Sequence, residues 1–152
     1  MNFLSQILTP SRTVCRLQAD SKDSLFATTA RILCDDQPSL PCDTVLEHLA
    51  AREKLGSTGM GKGIAIPHCR LSQCARPLGA LLTLEAPIPF DAPDKLPVDL
   101  LFVLLVPVEA RQEHLDILAN IAQLISRPEL CAQLRAAGDP RTLYDLACSA
   151  AI

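Results

Sequence analysis

Apolar residues recur three and four positions apart in several segments of the chain, which is the spacing of an amphipathic helix. In the first long segment Leu25 and Leu33 fall on one face, and Ser21 precedes them as an N-cap. A second segment stops at Gly56, the residue type that commonly ends a helix. The predicted helices run from about Ser21 to Cys34, Asp43 to Lys54 and Glu109 to Ser126, with shorter ones beginning at Pro128 and Pro140.

Shorter apolar runs between the helices predict strands. They lie near Thr13–Gln18, Gly63–Ile66, Gly79–Leu84 and Asp99–Val106. The last run is almost entirely apolar, as is typical of a central strand that is covered on both faces. Because strands and helices are interspersed, we predict an α/β fold over residues 1–152, a single domain with a mixed β-sheet of about five strands flanked by helices on both faces. The pattern does not fix the order of the strands.

Composition narrows the classes of function. The chain has 152 residues, 49% of them hydrophobic, and a formal net charge of −3. This length suits one domain with a substantial core, and the weak acidity argues against nucleic acid, whose binders need a clustered positive face. The most apolar run, Val98 to Val108, is far too short to cross a bilayer, so membrane insertion is not expected.

Cysteine usage and the start of the chain indicate a compartment. There are seven cysteines, an odd number, and no C-x-x-C pair, which fits neither a disulfide framework nor a zinc ribbon. The first residues, MNFLSQIL, lack the basic segment and the length of a secretory signal. We therefore expect a cytoplasmic protein.

Four of the six glycines lie between Gly56 and Gly63, in the segment GSTGMGKGIAIPH. Such clustering indicates a sharp turn or a close approach to a ligand, but it is also ordinary between a helix and a strand. The spacing Gly56-x-x-x-x-Gly61-Lys62 nearly spells a phosphate-binding loop, yet Gly63 stands where that motif needs Ser or Thr. The segment also runs from helix into strand, so it aims no helix N-terminus at a nucleotide, and we predict no nucleotide site.

Three basic side chains around this segment are candidates for chemistry. His68 is predicted to close a strand and follows Pro67, which stiffens the backbone, and a neutral imidazole is a good nucleophile toward a phosphoryl group. His114 lies early in the long helix on its buried side, and Arg52 lies late in the second helix, where a guanidinium can bind phosphate. Each also has an ordinary interpretation: a strand-end histidine, a histidine at the core edge and a cation that favours the helix dipole. From these residues alone we name no reaction.

Together, however, these residues resemble the EIIA domains of the phosphoenolpyruvate-dependent phosphotransferase system. The mannitol/fructose class of that family carries a stretch like REK-x-GSTG-x-G-x-GIAIPH, and this chain reads REKLGSTGMGKGIAIPH from Arg52 to His68. Within the class it is most similar to the nitrogen-type, regulatory EIIA, on the segment PIPFDAPDKLPVDLLFVLLVP from Pro87 to Pro107 and the EHLDIL that follows. The resemblance covers nearly the whole chain.

The resemblance implies a phosphocarrier, which accepts a phosphoryl group stoichiometrically rather than turning over a small molecule. His68 matches the histidine that receives the group on its ε2 nitrogen, His114 the second active-site histidine, and Arg52 the arginine that flanks the site. No metal or other cofactor is implied. The loop residues expected to bind phosphate oxygens through hydroxyls and amides are Ser57, Thr58 and Gly61.

The implied partners are an HPr-like (NPr) phosphocarrier as donor and regulatory targets such as potassium-transport proteins or sensor kinases, among which the sequence does not select. A sugar-specific EIIA that passes phosphate to an EIIB domain is the alternative within the same fold. From other classes, a binding module that has lost the chemistry conflicts with the presence of His68. A metalloenzyme using His48, His68 and His114 conflicts with their spacing.

Two positions depart from the family pattern. Cys69 follows His68 where relatives often carry Gly, so the backbone turn after the nucleophile is expected to differ. Lys62 stands where nitrogen-type relatives commonly carry a small or amide residue. Its charge either strengthens docking on an acidic or phosphorylated partner or points into solvent. Neither change removes an essential group.

Overall fold

A computed structural model describes residues 3–151 as a mixed six-stranded sheet with helices on both faces, which confirms the predicted α/β class. The predicted domain extends beyond the described residues by positions 1, 2 and 152. The elements are, in chain order, α1 (Phe3–Ile7), a 3₁₀ turn (Pro10–Arg12), β1 (Thr13–Leu17), α2 (Lys22–Asp36), α3 (Cys42–Leu55), β2 (Gly59–Gly61), β3 (Ile64–Ala65), β4 (His68–Leu71), β5 (Leu78–Ile88), β6 (Val98–Pro107), α4 (Arg111–Ile125), α5 (Pro128–Ala136) and α6 (Pro140–Ala150).

The sheet is organised around β6. Its strand order is β1-β5-β6-β3-β2, and β4 also pairs with β6. The β5–β6 and β2–β3 pairs are antiparallel, whereas β1–β5, β3–β6 and β4–β6 are parallel. Every residue of β6 except Asp99 is buried. The continuous apolar run therefore marks the central strand, as the sequence predicts.

Alternate residues of β6 enter two separate cores, because successive side chains of a strand point to opposite faces. Leu101 and Val103 pack in the core formed with α2 and α3. Leu100 and Phe102 pack in the core formed with α1, α4, α5 and α6. The long helix α4 and the helix α3 thus lie on opposite faces of the sheet, and the functional site lies where their ends meet its edge.

Local sequence determines where the helices begin and end. The Ser21 hydroxyl accepts a hydrogen bond from the backbone N–H of Ser24 at 3.1 Å, and the Ser24 hydroxyl accepts one from the N–H of Ser21 at 3.1 Å. This capping box starts α2 at the predicted N-cap. Helix α3 ends at Gly56, and Pro128 and Pro140 occupy the first turns of α5 and α6, all as predicted.

The sequence predicts that His68 closes a strand, and this is wrong, because His68 begins β4. Pro67 has no N–H to donate, so the hydrogen-bond ladder breaks there, although its carbonyl still accepts from the N–H of Leu104 at 2.9 Å. On either side of the break the register against β6 is the same, with Ile64 opposite Leu100 and His68 opposite Leu104. Strands β3 and β4 therefore follow one line along β6, interrupted at Pro67.

No disulfide bond joins any of the cysteines in the described part of the chain. Within residues 3–151, no helix is both long enough and apolar enough to cross a membrane. Nor do the described residues contain a group of three or more His, Cys, Asp or Glu side chains placed to hold a metal ion.

Candidate functional site

A cavity of about 580 Å³ opens between the end of α3, strand β4 and the start of α4. It brings together the predicted residues His68, His114 and Arg52, which are far apart in the sequence. The rest of its lining is mostly apolar and consists of His48, Ala51, Leu55, Cys69, Arg70, Leu115 and Leu118. A larger cavity of about 860 Å³ lies beside α1, and it is lined by none of the predicted site residues.

His68 is half-buried, and its ring is fixed by a backbone group just before it. Nδ1 lies 2.7 Å from the carbonyl oxygen of Ile66. Because a carbonyl can only accept, Nδ1 carries the proton and donates it, and in the neutral ring Nε2 is the unprotonated nitrogen.

The surroundings of His68 favour its neutral form. Burial is the largest influence and lowers the pKa of His68, whereas the hydrogen bond to Ile66 raises it. The positive charges of Arg52 and Arg70 lower the pKa further, and the negative charge of Glu53 opposes them. The net direction is downward, so at neutral pH Nε2 of His68 offers a lone pair.

His114 lies in the first turn of α4 and is only 6% exposed. Its ring centroid is 5.2 Å from that of His68, and the two rings meet edge to face at 68°. Nδ1 of His114 accepts a hydrogen bond from Nε of Arg70 at 3.3 Å. Among the side chains of residues 3–151, Nε2 of His114 is the one buried nitrogen or oxygen without a hydrogen-bond partner. A buried group in this condition marks a place where a ligand atom can supply the missing partner.

The protonation of His114 follows from the same contacts. Burial lowers the pKa of His114 to about 4, and His68, Arg70 and Arg52 contribute in the same direction. The ring is therefore neutral at pH 7 and has a single N–H. Because Nδ1 accepts from Arg70, that N–H is at Nε2. His68 and His114 thus have opposite tautomers, one with a bare Nε2 and the other with a donor Nε2–H.

Two arginines border the histidines. Arg52 lies in the last turn of α3, and its Nη1 donates to the carbonyl of Gly56 at 2.9 Å. Arg70, the second arginine, is not among the residues that the sequence predicts for the site. In β4 the side chains of Cys69 and Leu71 are buried, whereas positions 68 and 70 face the other way. This two-residue period is the signal that would have identified Arg70, had β4 been predicted.

A buried carboxylate connects the glycine-rich loop to His68, and sequence analysis missed it. Glu53 accepts hydrogen bonds from the Thr58 hydroxyl at 2.6 Å and from the Thr58 N–H at 3.0 Å. The ammonium of Lys22 lies 2.9 Å from the same carboxylate. The Thr58 carbonyl accepts in turn from the N–H of Ile66 at 3.0 Å, and the Ile66 carbonyl accepts from the ring of His68. Glu53 therefore fixes the backbone that orients the histidine.

The structure does not bring Ser57, Thr58 or Gly61 into the lining of the cavity. The Ser57 hydroxyl donates to the carbonyl of Phe90 at 2.8 Å, and the Thr58 hydroxyl is bonded to the buried carboxylate described above. Gly61 has a φ of 90° and lies beside Asp94, at the end of β2. These residues shape the loop, and their contacts with phosphate stay a prediction.

The two departures from the family pattern have different positions. Lys62 lies in the turn between β2 and β3, its N–H donates to Asp94 at 2.8 Å, and it does not line the cavity around His68. Cys69 continues β4 opposite Leu105, so the backbone after the histidine runs on as a strand. Burial, with a smaller contribution from Cys74, raises the pKa of Cys69 to about 12, and this thiol is a packing group.

Comparison with known proteins identifies the kind of molecule that has this arrangement. The family model described as "Phosphoenolpyruvate-dependent sugar phosphotransferase system, EIIA 2" matches residues 6–147. The chain is 48% identical over 143 residues to the nitrogen regulatory protein of Pseudomonas aeruginosa, and this alignment covers 94% of this chain and 93% of the relative. It is 42% identical over 144 residues to the nitrogen regulatory protein of Escherichia coli K12, covering 94% of this chain and 88% of that one.

A solved structure gives the same answer for the fold. The crystal structure of the nitrogen regulatory protein IIA-Ntr from Neisseria meningitidis superposes with a TM-score of 0.89 at 38% identity. The superposition covers 94% of this chain and 97% of that chain. Sequence and structure comparisons therefore agree over nearly the whole chain.

Proposed function

The chain belongs to the EIIA 2 family of the phosphoenolpyruvate-dependent sugar phosphotransferase system, and on this premise we propose that it carries a phosphoryl group on Nε2 of His68. One observation carries the proposal. The hydrogen bond from Nδ1 of His68 to the Ile66 carbonyl leaves Nε2 unprotonated, in the same cavity as the unpaired Nε2–H of His114. A nucleophilic lone pair and a buried donor are the two groups that phosphoryl transfer requires here.

In the proposed reaction the lone pair on Nε2 of His68 attacks the phosphorus of a donor phosphohistidine. A new N–P bond forms while the donor's N–P bond breaks, and the electron pair of that bond returns to the donor's imidazole. No proton has to leave His68, because the attacking nitrogen carries none. The protein supplies position and charge compensation for the three equatorial oxygens, from Arg52 and the Nε2–H of His114.

The donor is proposed to be an HPr-like (NPr) protein, because the phosphoryl group must arrive on another protein's histidine. The rim of the cavity fits a protein partner: Leu55 is 86% exposed and Leu115 is 58% exposed, and both line the same cavity as the two histidines. Exposed apolar side chains of this size around a polar centre are typical of a protein-docking surface.

We further propose a regulatory role, since the relatives described above are nitrogen regulatory proteins. A phosphoryl group adds nearly two negative charges at pH 7, enough to change which partner binds this surface. Potassium-transport proteins and sensor kinases are the proposed classes of target. The proposal places the protein in the cytoplasm and requires no metal or other cofactor. Phosphate contacts by Ser57, Thr58 and Gly61 stay a prediction.

The test is the intact mass of the protein after incubation with phosphoenolpyruvate, enzyme I and an HPr-like carrier. We expect one added phosphoryl group that is lost in acid and is absent from His68→Ala. His48→Ala is the matched control, because no role is proposed for this third histidine, and it should gain the same mass. No added mass with a carrier that phosphorylates a known acceptor would overturn the proposal and leave a binding module.

The sugar-specific alternative is distinguished by the next step of the transfer. The phosphorylated protein is mixed with an EIIB domain of the fructose or mannitol class, and the phosphoryl group is followed by mass. A regulatory protein retains its group over the time in which a sugar-specific EIIA passes it on. Rapid transfer to EIIB would replace the regulatory assignment with the sugar-specific one.

A further inference from the structure

Arg70 connects the two elements that carry the histidines. It lies two residues after His68 in β4, and its Nε donates to Nδ1 of His114, which belongs to α4. Arg70 is also part of the cavity lining. Among the side-chain hydrogen bonds of the described residues, this is the one that links β4 directly to α4.

This hydrogen bond has a chemical consequence that goes beyond holding the ring in place. A neutral imidazole has one N–H and one lone pair, and a donor at one nitrogen forces the proton onto the other. An arginine Nε–H can only donate, because the guanidinium stays protonated at all ordinary pH values. Nδ1 of His114 must therefore be the acceptor, and Nε2 must carry the proton.

We infer that Arg70 is a positioning residue, which holds His114 as the Nε2–H tautomer so that this buried donor is ready for an oxygen of the phosphoryl group on His68. The inference rests on the proposed function, since it names the acceptor that the unpaired Nε2–H of His114 lacks. Before transfer, this N–H has no partner among the described residues. After transfer, the N–P bond on Nε2 of His68 brings three acceptor oxygens beside it, in rings whose centroids are 5.2 Å apart.

The charges around His114 agree with this role. The groups that act on it are His68 and the two guanidinium groups of Arg70 and Arg52, all of which disfavour a positive charge on its ring. A neutral ring is necessary, because a doubly protonated His114 could not accept from Arg70 and would repel it. Arg70 therefore excludes both the cationic form and the tautomer protonated at Nδ1.

The opposite tautomer of His114 would slow phosphoryl transfer. A His114 protonated at Nδ1 would present a lone pair from Nε2 to the phosphoryl oxygens, which carry negative charge and can only accept. Two acceptors at this distance repel each other, so the transition state would lose a donor and meet a repulsive group.

The test reads the ring nitrogens directly. Nitrogen-15 NMR spectra of the histidine rings are recorded on the full-length, unphosphorylated chain, as wild type, Arg70→Met and Arg70→Lys. Arg111→Met is the matched control, because Arg111 is also exposed and lies in the same helix as His114. Phosphoryl transfer from the carrier is measured by rapid quench on the same four proteins.

We expect wild-type His114 to be neutral at pH 7 with its proton on Nε2. In Arg70→Met the Nδ1 resonance should move, the pKa of His114 should rise because a positive neighbour is lost, and transfer should slow about fivefold to tenfold, the factor for one lost hydrogen bond. Arg70→Lys, which keeps a donor, should restore the ring spectrum and most of the rate. Arg111→Met should change neither.

Two results would overturn the inference. The first is a wild-type His114 that is protonated at Nδ1 or cationic at pH 7. The second is an Arg70→Met protein that transfers slowly while its His114 spectrum is unchanged, which would mean that Arg70 binds the phosphoryl group itself. Because the NMR spectra need no phosphorylation, a wild type that gains no phosphoryl mass refutes the proposed function separately, whatever the tautomer proves to be.

Discussion

Replacing Glu53 by Gln should destabilise the protein by about 3 kcal/mol. The carboxylate is 8% exposed and accepts two hydrogen bonds from Thr58, at 2.6 and 3.0 Å, besides pairing with Lys22 at 2.9 Å. A glutamine of the same shape retains one acceptor oxygen, but its amide nitrogen then faces a donor. A hydrogen bond to a buried charged group contributes about 1.5–3 kcal/mol, and leaving a buried partner unpaired costs about as much again. The Lys22 ammonium is partly exposed, so water compensates for part of its loss.

The assay is urea unfolding followed by circular dichroism, with thermal unfolding as a second measure. For a chain of about 150 residues, 3 kcal/mol corresponds to a decrease in Tm of roughly 6–12 °C. Glu47→Gln is the matched control, because Glu47 is an exposed residue of the same helix and its change should fall within about 0.5 kcal/mol. Thr58→Val completes a double-mutant cycle with Glu53→Gln, and the two should be strongly non-additive.

A loss of less than about 1 kcal/mol in Glu53→Gln, or of no more than in Glu47→Gln, would refute this prediction, since the buried contact would then contribute nothing beyond an exposed carboxylate. Simple additivity of Glu53→Gln and Thr58→Val would refute it too, because two partners in one contact cannot be independent. If Glu53→Gln were as stable as the wild type but its glycine-rich loop were mobile, Glu53 would serve to order the loop and not to stabilise the fold.

Three other predictions concern the acid limb, the hairpin turn and the docking rim. The pKa of His114 is about 4 in the folded protein and near 6.5 in the unfolded chain, so the contribution of His114 to stability is complete above pH 6.5 and is lost as the pH falls towards 4. In urea titrations, the stability of His114→Asn should therefore decline less over that pH range than the stability of the wild type. Gly63→Ala should cost about 1–3 kcal/mol in thermal unfolding, because φ is 79° and the new Cβ would lie 2.9 Å from Arg135, whereas Gly138→Ala meets open space and should be nearly neutral. Leu115→Asp should weaken binding of the carrier in calorimetry while leaving Tm almost unchanged, and equal affinity would exclude this rim from the interface.

The parts of the fold that sequence could predict depend on local contacts. The cap at Ser21 forms within four residues of chain, and α3 ends at Leu55, directly before Gly56. The apolar pattern of β6 is equally local. The motif ending at His68 then pointed to three residues that the structure brings into one cavity, His68, His114 and Arg52.

The missed parts depend on residues that are distant in the chain. Strand β2 has three residues and β4 has four. Each forms because a neighbouring strand pairs with it, and the local sequence does not predict that pairing. The contact of Arg70 with His114 spans 44 residues. Thr58 was assigned to phosphate on account of its hydroxyl, but Glu53, five residues away, uses that hydroxyl to hold the loop. A polar side chain in a motif can serve the backbone rather than the ligand.

Strands β3 and β4 keep the same register along β6, and this register determines which face of the sheet the side chain of His68 points to. Ile64 and His68 are an even number of positions apart and lie opposite Leu100 and Leu104 of the same strand. Inserting or deleting one residue at Pro67 would shift the register by one position, so the imidazole would face the buried side of the strand that Cys69 now occupies. Only insertions or deletions of an even number of residues in this segment keep His68 on its present face of the strand. This constraint applies to engineered and natural variants alike.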